Sequence, residues 1–355
     1  RRVCSLSGLG DLCQAGFGGW ASLEGSAMFL RQGELFPDQP APGTIISIIQ
    51  GDNVFRAMTH RDGSFTIHGL ANGKVALEKL ILEPYGIDAS TGRVAWTADK
   101  VQTGKENYRI KVKGKTASTA LTMFRCAQTD VVGAFQPQKM GVLTKVDLLD
   151  AATDARPMRY WYSRVDGRDT MAISVFLEPG TAFKLILSEG LLQKEFILLH
   201  GSPDDPNGRG YLIGEPPSIE LTPYRAAEDM RFLIGERLGN LHRCGIINRR
   251  LETLYGESSA QLDSAMVSFE QGRFGQFWED VVEAWAKLVV VYTEIGATQR
   301  DVLLGVMFFI ALFVPFSYVV ERFLFCHRNI YRQIITFLIV LLLTIFVIRG
   351  LHPAF

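Results

Sequence analysis

The chain has 355 residues, and its 37 basic and 37 acidic side chains give a formal net charge of zero. Such a balance disfavours a nucleic-acid partner, because no excess of cations is available for phosphates. The charge balance and the 47% hydrophobic content both disfavour wholesale disorder. The mean hydropathy of +0.12 suits neither a plain soluble enzyme nor a membrane channel. It averages two different parts, because residues 301–355 are strongly apolar whereas residues 1–300 resemble a soluble protein.

Residues 1–42 are rich in glycine and predict a loop or the remnant of a preceding domain. The five cysteines form no CxxC pair, and none has zinc-site spacing. Cys4 and Cys13 could close a disulfide loop if this part is extracytoplasmic; the alternative is five unpaired thiols. We expect the chain to be a piece of a longer protein, because it begins Arg1-Arg2 rather than with Met and stops soon after an apolar run.

Residues 43–221 alternate short β-branched or aromatic runs with Gly, Asp and Asn turn signals, which predicts antiparallel sandwiches. We divide them into a first β domain, 43–114, and a second, 115–221. Asp62-Gly63 has the spacing of a hairpin turn between strands 54–59 and 64–68. The predicted strands are 44–50, 54–59, 64–68, 74–82, 93–97, 108–112, 117–124, 142–149, 158–165, 170–176, 182–187 and 196–200.

Residues 222–300 change to helical periodicity and predict a membrane-proximal stalk. Thr222-Pro223 is a helix start, and apolar residues then recur at steps of three and four up to Gly256, the expected C-terminal cap. Ser258 and Gln261 fit a capping box for a second helix that ends near Gly272. A third helix runs towards the first apolar run. An ordinary soluble bundle would show the same pattern.

Residues 301–355 predict two transmembrane helices, 302–320 and 334–348, joined by a basic connector. The alternative for the first is a buried core helix. The connector carries Arg322, Arg328 and Arg332, which place it in the cytoplasm by the positive-inside rule. The lipid bilayer is then a partner, and residues 1–300 lie outside the cytoplasm.

No grouping of catalytic or metal-binding residues is complete. There is no GxSxG, no HExxH and no full Walker motif, so we predict neither a cofactor nor a metal, and no enzyme in this chain. For five weaker groupings of residues we favour a structural role over a catalytic or ligand-binding one. They are Cys126 with His200; His60 with His68; Asp204, Asp205 and Asn207; Gly114-Lys115-Thr116; and the aromatic cluster Phe124, Tyr160, Trp161 and Tyr162.

Two stretches resemble known families. Residues 59–73, THRDGSFTIHGLANG, are similar to the T-x-x-DG-x-F-x-I-x-GL-x-x-G signature of carboxypeptidase regulatory-like domains, which are small transthyretin-like sandwiches. Residues 298–355 resemble bacterial FtsX-like permeases in their PF, ERFLF, IYRQI and HPAF strings, and LHRCGIINRRLETL at 241–254 is similar to the stalk of that family. The resemblance implies a location in a bacterial inner membrane, a separate ATPase subunit and a permease core beyond residue 355.

The leading interpretation is therefore the extracytoplasmic and first-membrane-hairpin part of an FtsX-like, ABC-type permease component. Its β domains would bind an envelope protein or a lipid substrate, and the stalk would couple them to the membrane. The alternative is a membrane-anchored accessory region of an extracytoplasmic peptidase whose catalytic domain lies upstream. A third interpretation is a structural envelope protein.

Overall fold

In a computed structural model the chain forms two compact units. The structure describes residues 20–30, 36–71, 79–136, 141–143, 145–163, 172–188, 196–325 and 327–351. The first unit comprises Arg1–Gln136, Gly141–His200 and Arg209–Thr222 and is rich in β-strands. The second comprises Pro137–Met140, Gly201–Gly208 and Pro223–Phe355 and is helical. The expected class, mainly-β domains followed by a helical stalk and two apolar helices, is confirmed.

The largest sheet of the first unit has nine strands. Seven of them follow the order β2-β1-β9-β7-β6-β3-β4, with β5 paired to β1 and β8 paired to β6. The strands are β1 Trp20–Phe29, β2 Gln39–Pro40, β3 Ile45–Gln50, β4 Asn53–Met58, β5 Ser64–Ala71, β6 Leu80–Ile87, β7 Val94–Ala98, β8 Arg109–Ile110 and β9 Thr116–Arg125.

Strand β3 shows why these residues fold as a sheet. Its burial alternates, so Ile46 and Ile48 enter the core while the residues between them are more exposed. Gln50 is also buried, and its amide donates to the Ala71 carbonyl at 2.6 Å and accepts from the Ala71 N–H at 3.0 Å. The end of β3 is thereby tied to the end of β5 without an unsatisfied polar group.

Strand β1 was not predicted, because residues 20–29 were assigned to a Gly-rich loop. It pairs with β5 on one side and runs parallel to β9 on the other. Gly25 is needed there, since a Cβ at that position would lie 2.3 Å from the Phe65 ring. The boundary predicted after residue 114 therefore falls within one sheet, which β9 joins from the second predicted domain.

The Asp62-Gly63 turn exists but does not close the predicted hairpin. Gly63 has a φ of 77°, and the Asp62 carboxylate accepts from the Ser64 N–H at 3.0 Å. Strand β5 pairs with β1, whereas β4 pairs with β3, so the turn connects two strands with different partners. The prediction of the turn was right and that of the pairing was wrong.

The remaining strands of the first unit form three smaller sheets among the described residues. Their orders are β14-β15-β10-β19, β11-β12 and β13-β16-β17, with β18 paired to β16. The strands are β10 Ala127–Val132, β11 Phe135–Gln136, β12 Gly141–Val142, β13 Lys145–Asp150, β14 Tyr160–Tyr162, β15 Ala172–Leu177, β16 Ala182–Ser188, β17 Phe196–Leu198, β18 Tyr211–Leu212 and β19 Ser218–Ile219.

The described residues form six α-helices and one π-helical turn. Two short helices follow β7, and four long ones build the second unit. They are α1 Lys100–Thr103, α2 Lys105–Tyr108, α3 Thr222–Arg243, α4 Arg249–Glu270, α5 Phe274–Val320 and α6 Ile330–Leu351, with the π-helical turn Glu321–Phe325 after α5.

Helices α4 and α5 pack antiparallel in a well-defined register. Arg250 pairs with Glu294 at 3.3 Å, and Lys287 pairs with Glu257 at 3.0 Å. Near the turn between the helices, the Phe269 and Phe277 rings lie 5.1 Å apart. Each step along α4 is thus matched by a step backwards along α5.

The helix break between α3 and α4 lies upstream of the predicted one. Chain direction reverses at Gly245, which has a φ of 73°, and Asn248 caps α4 by accepting from the Leu251 N–H. Gly256 lies inside α4 and is not a cap. The predicted capping box is also wrong, because the Ser258 hydroxyl donates to the Tyr255 carbonyl within the same helix.

Candidate functional site

Two helices of the second unit are long and apolar enough to cross a membrane. Helix α5 with its π-helical turn contains 52 residues, and α6 contributes an apolar stretch of 18. Only 11% of the most apolar window of the first and none of the second is buried within the chain. A core helix of a soluble protein would be mostly buried, whereas these windows are largely exposed within the described residues. We call Val302–Val347 the apolar hairpin.

Helix α5 is continuous from the three-helix stalk into the apolar hairpin. Its 47 residues correspond to ~70 Å at ~1.5 Å per residue. Its first half is buried against the stalk through residues such as Trp285 and Leu288. Its second half exposes residues such as Leu304 and Phe308, and it stays helical through Pro315. One rigid element therefore links the packed stalk to the apolar hairpin, as the sequence predicted.

The three arginines of the predicted connector are exposed, but the connector itself is shorter than expected. Helical structure continues from α5 to Phe325, and α6 begins at Ile330. Arg322 therefore belongs to the π-helical turn, Arg328 to the short link, and Arg332 to the first turn of α6. Asn329 caps α6, because its side chain accepts from the Tyr331 N–H at 3.0 Å.

A buried carboxylate lies where the two helices of the hairpin join. Glu321 has no exposed surface, and its two carboxylate oxygens lie 3.8 Å from the Arg322 Nε and 3.8 Å from the His327 Nδ1. Both distances exceed the range of a hydrogen bond. With its amide turned to satisfy both groups, Gln333 of α6 accepts from Arg322 at 3.1 and 2.8 Å.

This junction buries four polar atoms that make no hydrogen bond among the described residues. They are the Ser317 Oγ, both oxygens of Glu321 and the His327 Nδ1. Ser317 and Glu321 are four residues apart and share one helix face. Buried polar atoms without partners are costly, so this cluster opposes the stability of the hairpin more than an apolar one would. We call Ser317, Glu321, Arg322, His327 and Gln333 the junction cluster.

The first unit holds a second unusual charge, Lys100, which sits among aromatic rings. Its Nζ lies 3.1 Å from the Tyr162 ring centroid, 5.3 Å from that of Trp161 and 5.8 Å from that of Tyr108. Burial, reinforced by the charge of Arg109, lowers the pKa of Lys100 to about 7. The ring faces favour the ammonium form and oppose this shift. Asp99, which caps α1, has its pKa raised by burial.

The predicted aromatic cluster is mostly structural. Phe124 and Trp161 belong to the buried core, and the Tyr160 and Tyr162 rings stack at 6.3 Å. The sequence contained these rings but gave no sign that Lys100 would enter the cluster, because α1 and β14 lie some 60 residues apart in the chain. Likewise, Glu321 was noticed only as part of a connector.

The weaker groupings of the sequence analysis do not form sites. Burial raises the pKa of the Cys126 thiol to about 12, which makes it a poor nucleophile. His200 Nδ1 lies 3.0 Å from the Gly210 carbonyl oxygen, and His68 bonds to Ser22. Among the described residues, no three His, Cys, Asp or Glu side chains are placed to hold a metal ion.

Two of the remaining candidate groups lie in loop segments, and the proposed disulfide pair lies outside the described residues. The triplet Gly114-Lys115-Thr116 leads directly into strand β9 rather than into a helix, so it is not a phosphate-binding loop. Asp204 and Asp205 are exposed in a turn. Cys4 and Cys13 lie outside the described residues, so their disulfide stays a prediction.

No family model and no curated protein matches the chain. Among solved structures, it is similar to the Bacillus anthracis TIE protein (12% identity, 48% of this chain, 28% of that one, TM-score 0.20). It is also similar to a leucine-rich repeat protein from Bacteroides thetaiotaomicron (10%, 49%, 23%, TM-score 0.27). A third is the shaft pilin SpaA from Lactobacillus rhamnosus GG (9%, 49%, 89%, TM-score 0.17). The chain thus spans about a quarter of the first two proteins, and TM-scores this low define no shared fold.

Fold and site together define a class of protein. It has a β-rich unit, a helical stalk, and two apolar helices of membrane-spanning length.

Proposed function

We propose that the chain is the extracytoplasmic and first-membrane-hairpin part of a bacterial FtsX-like, ABC-type permease component. In this proposal the apolar hairpin spans the inner membrane, the β-rich unit binds an envelope protein or a lipid substrate outside the cytoplasm, and a separate ATPase subunit supplies energy. The carrying observation is the continuity of α5 from the stalk into the hairpin.

Helix continuity supports coupling because a packed helix moves as a rigid body. The stalk half of α5 is fixed in register by Arg250–Glu294 and Lys287–Glu257, so a shift of the stalk moves the spanning half with it. The junction cluster lies at the far end of the same helix. There the carboxylate of the buried Glu321 lies 3.8 Å from the Arg322 Nε and 3.8 Å from the His327 Nδ1, beyond hydrogen-bond range, an arrangement open to repacking.

The first test determines integration and orientation. Alkaline carbonate should leave the chain in the membrane. In a cysteine-free background, an impermeant maleimide should label Arg273→Cys in intact spheroplasts and Arg328→Cys only after permeabilisation. Both positions are exposed, so each reports its side of the membrane. The reverse labelling pattern overturns the orientation, and extraction by carbonate overturns the membrane span.

The second test addresses coupling and uses the complete protein purified from its own membranes. We expect an ATPase to co-purify, and its vanadate-sensitive activity in proteoliposomes should change several-fold when Gly-Ser-Gly-Ser is inserted after Gly296 in α5. The matched control is the same insertion after Asp205, in an exposed turn. Absence of an ATPase argues against the permease, and equal effects of the two insertions argue against coupling through α5.

A further inference from the structure

The turn between α3 and α4 combines an apolar tip with arginines. Residues 240–251 contain three arginines, Arg243, Arg249 and Arg250, and no acidic residue. Ile247 at the tip is 68% exposed, and all three arginines are exposed as well. The tip thus presents one exposed apolar side chain together with three cationic ones. We call residues 240–251 the basic tip.

The register of α4 against α5 fixes the height of the basic tip. Because Arg250 pairs with Glu294, the antiparallel register brings Ile247 level with about residue 297 of α5. The apolar hairpin begins five residues later, at Val302, which is ~7 Å along the helix. A headgroup layer is roughly 5–8 Å thick on each side of the hydrocarbon core. The basic tip therefore lies at the depth of lipid headgroups if the hairpin spans the bilayer.

A cavity opens between the basic tip and α5. It measures about 390 Å³ and is lined by apolar residues from α3 and the tip, together with Arg249, Arg250 and Thr298. Thr298 belongs to α5, which confirms that tip and helix are level there. A lining that combines leucine and isoleucine side chains with two arginines matches a molecule that has a hydrocarbon part and an anionic part.

We propose that the basic tip binds anionic phospholipids of the same bilayer, with arginines on the phosphate and the leucine and isoleucine side chains of the cavity against the upper acyl chain. Guanidinium groups suit this task, since their planar forks match phosphate oxygens. Arg250 forms an ion pair with Glu294, whereas in the described contacts Arg243 donates a hydrogen bond only to the side-chain oxygen of Asn240. Arg243 and Arg249 are thus the two cations best placed for lipid. The inference rests on the proposed membrane span.

The test uses the full chain in nanodiscs of phosphatidylcholine with or without phosphatidylglycerol. Native mass spectrometry counts retained lipids, and we expect phosphatidylglycerol to be enriched over phosphatidylcholine. Each arginine near an anionic surface contributes about fivefold in lipid affinity, so Arg243→Gln with Arg249→Gln should lower the enrichment by on the order of 25-fold. The matched control is Arg273→Gln, an exposed arginine at the opposite end of α4, which should leave it unchanged.

A second readout reports the depth of the tip itself. Cys244 is exposed in the basic tip, and with the other cysteines replaced it can carry a fluorophore. Doxyl groups on the upper acyl chain should quench that fluorophore, whereas the same label at Arg273→Cys should be unaffected. Quenching that is equally weak at both positions overturns the inference.

Three other outcomes are separable from each other. Unchanged phosphatidylglycerol enrichment in the double variant overturns the lipid site while leaving the membrane span intact. If soluble glycerol phosphate competes with equal affinity, the arginines bind a free phosphate compound. That result overturns the proposal that their ligand is a phospholipid. Extraction of the chain by carbonate overturns the proposed membrane span, and it overturns the lipid site as well.

Discussion

Replacing Glu321 by methionine tests whether the junction cluster serves stability or motion. At 3.8 Å and an effective dielectric constant of about 20, Arg322 stabilises the carboxylate by about 4 kcal/mol. Burying the carboxylate costs several kcal/mol, and leaving two oxygens without hydrogen bonds costs about 1–3 kcal/mol each. The charge is therefore neutral or unfavourable for folding, and Glu321→Met should raise the free energy of unfolding by about 0–3 kcal/mol.

Steric trapping of the full chain in bicelles measures that free energy, with biotins at the lipid-exposed ends of α5 and α6. The control is Leu324→Met, which changes an exposed apolar side chain one turn away and should shift it by less than about 0.5 kcal/mol. A loss of more than about 2 kcal/mol in Glu321→Met would refute the reasoning, because the carboxylate would then hold the hairpin together.

The same variant separates stability from function. In the complete protein we expect Glu321→Met to be at least as stable as the wild type yet altered in ATP hydrolysis by several-fold. A buried polar group that brings no stability is retained for switching in the best-attested cases. A Glu321→Met variant that is both more stable and fully active would show that the buried carboxylate of the junction cluster has no role in the mechanism.

Three further predictions concern packing and charge. Gly86→Ala should destabilise the first unit by about 2 kcal/mol, because its Cβ would lie 1.8 Å from the Trp96 ring; thermal unfolding by near-ultraviolet circular dichroism measures this. Trp285→Ala should cost about 3–5 kcal/mol in chemical unfolding of the stalk, because the indole is fully buried. The folded-state pKa of Lys100 is about 7, against about 10.4 when unfolded, so unfolded chains bind more protons between these pH values. Stability should therefore rise from pH 7 to 10, and Lys100→Met should remove that rise.

Both packing predictions have a matched control. Gly114→Ala introduces a Cβ whose nearest atom is 4.0 Å away, so it should change unfolding little. Phe274→Ala removes an aromatic ring that is 63% exposed at the start of the helix that carries Trp285. Equal effects in variant and control would contradict the packing arguments. A pH slope that survives in Lys100→Met would assign the titration to another group.

The strands could be predicted because the alternation of apolar and polar residues and the turn residues are local signals. Which strand pairs with which depends on residues far apart in the sequence, so the pairing could not be predicted. Strand β1 was missed because its glycine and other small residues are typical of a loop. A glycine is required at position 25 because the Phe65 ring packs against it. Phe65 lies 40 residues further along the chain, so the local sequence gives no sign of this contact. The break after α3 was missed for the opposite reason. Cys244 and Ile247 continue the apolar helical spacing of Leu241, although they belong to the basic tip.

Charged residues were the hardest part of the site to predict. Nothing near Lys100 or Glu321 in the sequence distinguishes them from solvated side chains. The burial of Lys100 involves Trp161 and Tyr162 of β14, and Glu321 belongs to the π-helical turn that α6 contacts on its return. Arg322, Arg328 and Arg332 were found from the sequence because a run of cations between two apolar runs is a local pattern.

The basic tip bears on the proposed orientation of the hairpin. In the proposed topology it adds three arginines on the side of residues 1–300, so both ends of the proposed first span lie near cations. The positive-inside rule, however, counts residues close to a span in sequence, and long domains are translocated largely regardless of their charge. Arg243 lies some 60 residues before Val302 and belongs to such a domain. In the proposed topology the connector arginines act during insertion, and the tip arginines act afterwards, on the lipids that surround the finished stalk.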